Sequence, residues 1–312
     1  MRGHYSRVLV TGGAGFIGSH LVDRLLAEDT EVVAVDSLRS GRLENIKQHL
    51  DQEGFRFVKA DIRNSAQMKK LVKDVDAVLH QAALVSVSES IENPKLVNDI
   101  NVNGTMNLLM ASLDSDITRF VLASSSSVYG NSGIPPISEE SPPKPLSPYA
   151  ASKLAAEGYL KAFHEVFGLR TVCLRYFNAY GQRQSYSKYS SVITQFMRRM
   201  AENSPFVVFG DGKQTRDFVN VRDVVQTNML ALTENAAIGE TFNVATGKST
   251  TINHLAKLIA QIAGEPHEVK HEKPREGDIK HSVADVSKAT RKLKFIPKIA
   301  LHKGLEDVMT HQ

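Results

Sequence analysis

Short apolar segments alternate with amphipathic segments along the first half of this chain. Brief runs rich in apolar and β-branched residues predict buried strands at residues 7–11, 31–35, 55–59, 77–80, 120–123 and 170–174. Apolar residues spaced three and four apart predict helices after the first strand and near residues 65–73, 95–113 and 149–167. This alternation indicates an α/β fold, in which a doubly wound parallel sheet carries helices on both faces.

The alternation weakens after residue 176, which indicates a second unit. Residues 206–209 and 241–245 still predict strands, and residues 252–263 predict an amphipathic helix. A length of 312 residues is typical of two domains. We therefore expect a first domain at residues 1–175 that takes back a segment at about 218–245. A smaller α/β domain is expected from residues 176–217 and 246–312.

Three glycines spaced three apart separate the first strand from the helix that follows it: Gly12, Gly15 and Gly18. In nucleotide-binding loops, one glycine makes a tight turn, one lets the backbone approach a pyrophosphate, and one lets helix and strand pack closely. The helix N-terminus then offers N–H groups to the phosphates. An ordinary tight turn is the alternative, and the strand, loop and helix in register favour a nucleotide cofactor.

The second predicted strand ends in an acidic residue, Asp36, about twenty residues past the glycine loop. A carboxylate at this distance suits the hydroxyls of an adenosine ribose. It also repels a 2′-phosphate, so the sequence favours NAD over NADP. Arg39 follows closely and would soften that preference.

Polar residues follow several predicted strands. Because parallel strands end at one edge of the sheet, these residues are expected to converge on one crevice. They are Asp61-Ile62, Gln81-Ala82-Ala83, Ser124-Ser125-Ser126 and Tyr176-Phe177-Asn178.

Tyr149 and Lys153 are four residues apart in a predicted helix, so they share one face. A lysine ammonium beside a phenol lowers the tyrosine pKa and provides a general acid/base near neutral pH. The spacing alone also arises by chance on solvated helices. Six prolines between residues 135 and 148 predict an ordered loop that leads into this helix.

Composition narrows the function classes. The chain is 42% hydrophobic and 23% charged, without a membrane-spanning apolar run or a signal-peptide pattern, so we expect a cytoplasmic protein and no membrane partner. The net charge of +4 is not gathered into a basic run, which argues against a nucleic-acid partner. The single cysteine, Cys173, is predicted to be an inert core thiol, and no Cys/His cluster has metal-ligand spacing.

Taken together, these motifs resemble the extended short-chain dehydrogenase/reductase family, and specifically its UDP-sugar 4-epimerases. The resemblance covers nearly all of the chain and implies a Rossmann-type sheet with a smaller substrate domain. The motifs that carry it are Thr11-Gly-Gly-Ala-Gly-Phe-Ile-Gly18, Asp61-Ile62-Arg63, His80-Gln-Ala-Ala83, Asn101-Val-Asn-Gly-Thr105, Ser126-Ser-Val-Tyr-Gly130, Tyr149-x-x-x-Lys153, Arg175-Tyr-Phe-Asn178, Arg216-Asp-Phe-Val219 and Pro274-Arg-Glu-Gly-Asp278.

The resemblance implies roles for individual residues. The catalytic set is Ser125, Tyr149 and Lys153, and Lys153 also binds the nicotinamide ribose. The implied NAD contacts are Gly12, Gly15, Phe16, Ile17, Gly18, Asp36, Asp61, Ile62, Gln81, Ala82, Ala83, Asn101, Tyr149, Lys153 and Tyr176. The implied substrate contacts are Ser86, Ser125, Ser126, Asn178, Val192, Arg216, Arg275, Asp278 and Ser282.

Two positions bear on the reaction. Dehydratases and decarboxylases of the family carry acidic residues just after the catalytic Ser or Thr, whereas Ser126 and Ser127 stand there in this chain. Simple oxidation and re-reduction at C4 is therefore favoured. The alternatives are UDP-glucuronate epimerisation or decarboxylation, or a non-enzymatic NAD-binding sensor.

Substrate choice depends on Ser282, which matches the position that gates the sugar pocket in the family. A small residue there admits an N-acetyl group and a tyrosine goes with its absence. The expected substrates are UDP-GlcNAc and UDP-GalNAc, with UDP-glucose and UDP-galactose also open. The resemblance further implies a homodimer built from the helices near 95–113 and 149–167, although their apolar residues equally suit an intrachain core.

Overall fold

The computed structural model describes residues 5–131, 135–184, 191–264, 266–274 and 279–310. Its strands are β1 (Arg7–Thr11), β2 (Glu31–Asp36), β3 (Phe55–Lys59), β4 (Ala77–His80), β5 (Arg119–Ser125), β6 (Thr171–Tyr176), β7 (Asn178–Tyr180), β8 (Phe206–Phe209), β9 (Thr215–Arg216), β10 (Phe218–Asn220), β11 (Glu240–Val244), β12 (Thr250–Thr251), β13 (Val269–Glu272) and β14 (His281–Ser282). Its α-helices are α1 (Phe16–Leu26), α2 (Ser65–Val72), α3 (Val87–Glu92), α4 (Pro94–Asn98), α5 (Gly104–Leu113), α6 (Pro148–Phe167), α7 (Val192–Ala201), α8 (Val221–Thr233), α9 (Ile252–Ala263) and α10 (Leu301–Thr310).

A seven-stranded parallel sheet forms the centre of the molecule, in the order β11-β6-β5-β4-β1-β2-β3. The predicted doubly wound parallel sheet is thereby confirmed. The strand order changes direction between β1 and β4, and ligands of such sheets bind at this point, outside the carboxyl ends of the strands.

Apolar layers cover both faces of the sheet, which explains why its strands read as continuous apolar runs. Val8 and Val10 of β1 point into a cluster with α1 and α8, while Leu9 points into a cluster with α2, α5 and α6. All three side chains are fully buried.

The helix predicted near residues 95–113 consists of α4 and α5 joined by one wider, π-helical turn at Asp99–Asn103. Such turns are frequent at functional sites because they redirect side chains within a helix. Here the wider turn buries Asn101 against the sheet.

The second half of the chain builds a separate apolar cluster from α7, β8, α9 and α10, with Phe196, Phe206, Leu255 and Leu305 at its centre. Three short sheets accompany it, β10-β7, β12-β9-β14 and β13-β8. Helices α3, α7, α8 and α10 were not among the predicted elements. The sequence did not predict α8 because the polar residues Thr227 and Asn228 are fully buried and interrupt its apolar stripe. Within the described ranges, no helix is both long and apolar enough to cross a membrane.

Candidate active site

The glycine loop packs tightly on the end of the neighbouring strand. Gly12 has a φ of +67°, and a Cβ at this position would lie 2.9 Å from the Ala82 nitrogen. A Cβ on Gly18 would overlap the carbonyl oxygen of Gly12. Glycine is therefore required at both positions, one for the backbone turn and one for the approach of α1 to the loop.

The first turn of α1 is open to an anion. Gly15 is the N-cap and offers no side chain to the turn. The first N–H groups of a helix have no intrahelical acceptor and carry the positive end of its dipole. The loop between β1 and α1 therefore fits a pyrophosphate, and Phe16 and Ile17 supply its N–H groups.

Asp36 lies beside this loop at the end of β2. Its carboxylate accepts hydrogen bonds from the backbone N–H of Ala14 at 3.1 Å and of Leu38 at 2.8 Å. Burial raises the pKa of Asp36, and these two bonds oppose the rise. Arg39, expected to soften the preference for NAD, instead forms an ion pair with Glu89.

A buried chain of hydrogen bonds joins the glycine loop to the helix at Asn101. His80 Nδ1 lies 2.7 Å from Thr11 Oγ1, and His80 Nε2 lies 2.9 Å from Thr105 Oγ1. Thr105 donates to the Asn101 carbonyl oxygen, so its hydroxyl accepts from Nε2–H and Thr11 donates to Nδ1. Burial, followed by the charge of Lys153, lowers the pKa of His80 to about 3, so this neutral tautomer persists.

Asn101 is hydrogen-bonded to the segment that follows β4. Its amide accepts from Leu84 N at 2.8 Å and donates to Leu84 O at 3.0 Å and to Ser152 Oγ at 2.9 Å. Ser152 belongs to α6, so Asn101 fixes residues 81–84 and α6 together. Both N–H groups of its amide are used by these partners, which makes it a support for the expected cofactor wall.

A second set of buried hydrogen bonds, around Tyr176, holds Gln81 in the segment that follows β4. The Tyr176 hydroxyl lies 3.2 Å from Gln81 Oε1 and 3.0 Å from Asn228 Oδ1. Gln81 Nε2 also donates to Asn228 Oδ1 at 3.1 Å. Sequence reasoning did not find Asn228, because a lone asparagine inside a helix carries no motif.

The Asp61-Ile62 pair follows β3 as expected. Ile62 is buried against Gly104, where an added Cβ would lie 2.5 Å from the Ile62 side chain. Asp61 forms an ion pair with Arg63 at 2.7 Å, and this hydrogen bond lowers the pKa of Asp61. The expected adenine contacts thus lie at the β3 end of the sheet, beyond Asp36.

Ser125 and Tyr149 meet at the carboxyl end of β5. Ser147 caps α6 by accepting from Ala150 N at 3.1 Å, and Pro148 occupies the first helical position, as the proline-rich loop predicts. Tyr149 is buried, and the Ser125 hydroxyl is the polar group that faces its phenol. Burial raises the pKa of Tyr149, and the Ser125 hydroxyl opposes this rise.

Lys153 lies one turn further along α6, fully inside the protein. Its Nζ donates to the Ala123 carbonyl oxygen at 2.8 Å. Burial lowers the pKa of Lys153 to about 8. The sequence predicted that Lys153 lowers the pKa of Tyr149, whereas the structure shows a raised value, because burial disfavours the phenolate and the ammonium is bound to a carbonyl.

Three of the expected substrate residues line one cleft beyond the end of β6: Asn178, Val192 and Arg216. Apolar side chains of Phe209, Phe218 and Ile252 line it as well. Asn178 follows Tyr176, which pairs directly with Ser125 in the sheet, so the cleft adjoins the Tyr149 group. Arg216 is held by the carbonyl oxygens of Thr215 at 2.9 Å and Ile279 at 2.6 Å.

The other expected substrate residues are placed differently. Ser282 is buried and lies opposite Arg216 in the β14–β9 pairing. Ser126 begins a short 3₁₀ turn after β5, and Ser86 caps α3 by accepting from Glu89 N at 3.0 Å. Arg275 and Asp278 lie outside the described residues. In the described part of the chain, no cluster of three His, Cys, Asp or Glu side chains is arranged to hold a metal ion.

Gly18→Ala is expected to destabilise the protein by about 1–3 kcal/mol, because the added methyl overlaps the Gly12 carbonyl. Displacement of the loop should also weaken NAD binding by about tenfold or more. Urea denaturation and fluorescence titration with NAD measure these effects. The matched control is Gly158→Ala in α6, where a Cβ has open space, and its helix should gain up to about 1 kcal/mol. An unchanged NAD affinity in Gly18→Ala would refute the packing argument.

Comparisons with known proteins agree with this geometry. A family model described as the NAD dependent epimerase/dehydratase family matches residues 8–245. A UDP-glucose 4-epimerase of Mycolicibacterium smegmatis is 39% identical over 302 residues, which cover 96% of this chain and 96% of that protein.

Two solved structures share the whole fold. A UDP-N-acetylglucosamine 4-epimerase from Methanobrevibacter ruminantium, in complex with UDP-N-acetylmuramic acid, is 39% identical with a TM-score of 0.93 and covers 98% of this chain and 97% of that chain. A UDP-glucuronic acid 4-epimerase from Bacillus cereus, in complex with UDP-glucuronic acid and NAD, is 34% identical with a TM-score of 0.92 and covers 98% of both chains. The expected family resemblance and the expected cofactor are confirmed, and the chain belongs to the NAD-dependent epimerase/dehydratase family.

Proposed function

We propose that this protein is an NAD-dependent 4-epimerase of UDP-hexoses, which oxidises C4 to a transient ketone and reduces it again from the opposite face. One observation carries the proposal. The Ser125 hydroxyl and the buried Tyr149 phenol meet at the end of β5, and Lys153 is buried one turn further along α6. In the sheet order, β5 stands between the glycine loop after β1 and the cleft after β6.

The glycine loop fits the cofactor, because the turn at Gly12 and the close approach at Gly18 hold the loop against the first turn of α1, whose N–H groups suit a pyrophosphate. Gly12, Gly15 and the first turn of α1 would hold the pyrophosphate, and Asp36 the adenosine ribose. Lys153, together with Tyr149, would hold the nicotinamide ribose. When bound, NAD accepts a hydride from C4 of the sugar and returns it.

Tyr149 would exchange a proton with the C4 oxygen. Burial raises its pKa, so the phenol is ready to protonate that oxygen during reduction. During oxidation the phenolate must form, and the hydrogen bond with Ser125 favours it. The Ser125 hydroxyl accepts from Ser127 N at 3.2 Å, and its single proton is donated either to the Tyr149 phenolate or to the C4 oxygen, not to both at once.

The residues after Ser125 support epimerisation over the related reactions. Elimination of water requires an acid beside the keto sugar, and UDP-glucuronate decarboxylation goes with a glutamate at the same place. Ser126 and Ser127 supply neither group. The assembled Ser125, Tyr149 and Lys153 also argue against a non-enzymatic NAD sensor, for which this buried polar set would have no use.

Residues 176–217 and 246–312 are proposed to form the domain that binds the UDP moiety. Arg216 suits the diphosphate, because a guanidinium pairs with phosphate oxygens in a fixed geometry. Asn178 and Val192 share its cleft. Arg275 and Asp278 are assigned to the same ligand from the sequence alone.

The favoured substrates are UDP-GlcNAc and UDP-GalNAc. Ser282 is small and lies opposite Arg216 in the β14–β9 pairing, which supports a sugar that carries an acetamide beside the proposed diphosphate site. The M. ruminantium enzyme is named for such a substrate. UDP-glucose and UDP-galactose form the second candidate pair, since the M. smegmatis relative is named for UDP-glucose.

A homodimer is proposed from an exposed stripe on α5 and α6. Met110 is 51% exposed and Tyr159 is 43% exposed although both are large and apolar in character. Exposed Ala151, Ala155 and Ala162 continue the stripe at helical spacing. Small residues between large apolar ones allow two helix pairs to approach closely, so the same face of a second copy would complete a four-helix bundle.

Tyr149→Phe is expected to lower kcat for epimerisation by about 10²–10⁴-fold, because it removes the exchanging proton while it keeps the ring. The assay is separation of UDP-sugar epimers after incubation with purified protein. Tyr159→Phe, on the exposed face of the same helix, is the matched control and should retain the wild-type rate. Near-normal turnover by Tyr149→Phe would disprove its role.

Ser282→Tyr is expected to lower kcat/KM for UDP-GlcNAc and UDP-GalNAc by about 10–200-fold, because the ring fills the space for the acetamide. Turnover of UDP-glucose and UDP-galactose should change much less. Ser282→Ala is the control and should leave all four rates near wild type. If Ser282→Tyr still epimerises UDP-GlcNAc normally, Ser282 does not gate the sugar.

Ala155→Arg is expected to convert the dimer into monomers, because it places a buried unpaired charge in the helix bundle. Sedimentation velocity at micromolar protein measures the oligomeric state. Ala236→Arg, at an exposed position away from α5 and α6, should remain dimeric. A monomeric wild-type protein would contradict the proposed assembly.

A further inference from the structure

We infer that Glu157 is a positioning residue of the active site, which anchors the strand end that carries Ser125 and provides the negative charge that faces Lys153. This inference rests on the roles proposed above for Ser125, Tyr149 and Lys153. Glu157 was not among the site residues expected from the sequence, because a glutamate in a long helix is usually solvated. In the structure its side chain is only 8% exposed.

One face of α6 contacts each of the last three residues of β5. Tyr149 faces Ser125, Lys153 Nζ donates to Ala123 O at 2.8 Å, and the Ser124 hydroxyl donates to Glu157 Oε1. The three α6 side chains are four residues apart, so they form one line along the helix. Glu157 is thus the third member of the row that contains the proposed catalytic residues.

Arg175 extends this contact to the neighbouring strand. It pairs with Ser124 in the β5–β6 register, and its Nε and Nη2 donate to Glu157 at 3.0 Å and 2.7 Å. The guanidinium carbon lies 4.7 Å from the centre of the Tyr129 ring, in the turn that follows Ser125. The third Arg175 nitrogen, Nη1, donates to Glu139 O at 3.4 Å. Glu157 therefore joins α6, β5, β6 and the turn around Ser125.

Glu157 also supplies the negative charge that faces Lys153. Lys153 is faced by Glu157 on α6, Cys173 on β6 and His80 on β4. His80 is neutral, and burial raises the pKa of the Cys173 thiol so that it is neutral as well. Glu157 is faced in turn by Arg175, Cys173 and Tyr129. Loss of its carboxylate would leave Lys153 and Arg175 as two buried cations without the anion between them.

Glu157→Gln tests the inference, because it preserves the shape and the contact with Ser124 and removes the charge. We expect kcat to fall at least about tenfold with little change in KM, because only the reacting geometry is disturbed. Lys153 must be protonated to act, so activity is lost as pH rises through its pKa. Without Glu157 that pKa falls, and the alkaline limb of the kcat–pH profile should move about one unit towards acid.

Three further variants separate positioning from folding. Glu165→Gln removes the same charge from an exposed position of α6 and should match wild type in rate and pH profile. Glu157→Asp keeps the charge on a shorter arm, so its alkaline limb should return towards the wild-type pH while kcat stays low. If Glu157→Gln does not fold, the double variant Glu157→Met with Arg175→Met removes both charges of the ion pair, so that Arg175 is not left without its anion.

The inference is overturned if Glu157→Gln keeps the wild-type kcat and alkaline limb, or if the folded double methionine variant does so. In either case the Glu157–Arg175 pair is structural only. Failure of the proposed epimerase mechanism has a different signature, since Tyr149→Phe would then remain active. The two results come from separate variants and are read independently.

Discussion

The contact between α6 and the end of β5 is the constraint on which the rest of the site depends. A helix can be placed on a sheet by apolar packing alone, but such packing tolerates small slides along the helix axis. Here Lys153 is bonded to the Ala123 carbonyl at 2.8 Å, Glu157 one turn further on accepts from Ser124, and Tyr149 one turn before faces Ser125. These buried polar groups have hydrogen-bond partners in a single register of the helix on the sheet. They therefore prevent the helix from sliding along its axis. The phenol, the ammonium and the serine hydroxyl are thereby held in one arrangement.

The cofactor side and the sugar side of this edge of the sheet are held in place in different ways. On the cofactor side, the loop is fixed by close backbone packing, since Gly12 and Gly18 have no room for a Cβ. On the sugar side, the apolar residues Ile193, Val208, Phe218 and Ile252 that line the cleft belong to a different apolar cluster. The proposed sugar wall and the cofactor wall are therefore built on separate cores, and the names of the compared enzymes carry different UDP-sugars.

The sequence revealed the central sheet well because its strands are buried on both faces and therefore read as short apolar runs. It revealed Ser125, Tyr149 and Lys153 because they stand in compact motifs. It missed α8 because Thr227 and Asn228 are buried in place of apolar residues. It missed Glu157 for the converse reason, since burial of a carboxylate depends on Arg175 from another strand. The direction of the Tyr149 pKa shift was wrong because residue spacing does not record desolvation.

The neutral imidazole of His80 has a consequence for acid tolerance. In an unfolded chain a histidine takes up a proton near pH 6.5, whereas folding lowers the pKa of His80 to about 3. Between these values the unfolded chain binds a proton that the folded protein excludes, so stability falls as pH is lowered through this interval. Each pH unit within this interval lowers the free energy of unfolding by up to about 1.4 kcal/mol. His80 therefore links the glycine loop to the helix that carries Asn101, and the same residue makes the folded protein less stable in mild acid.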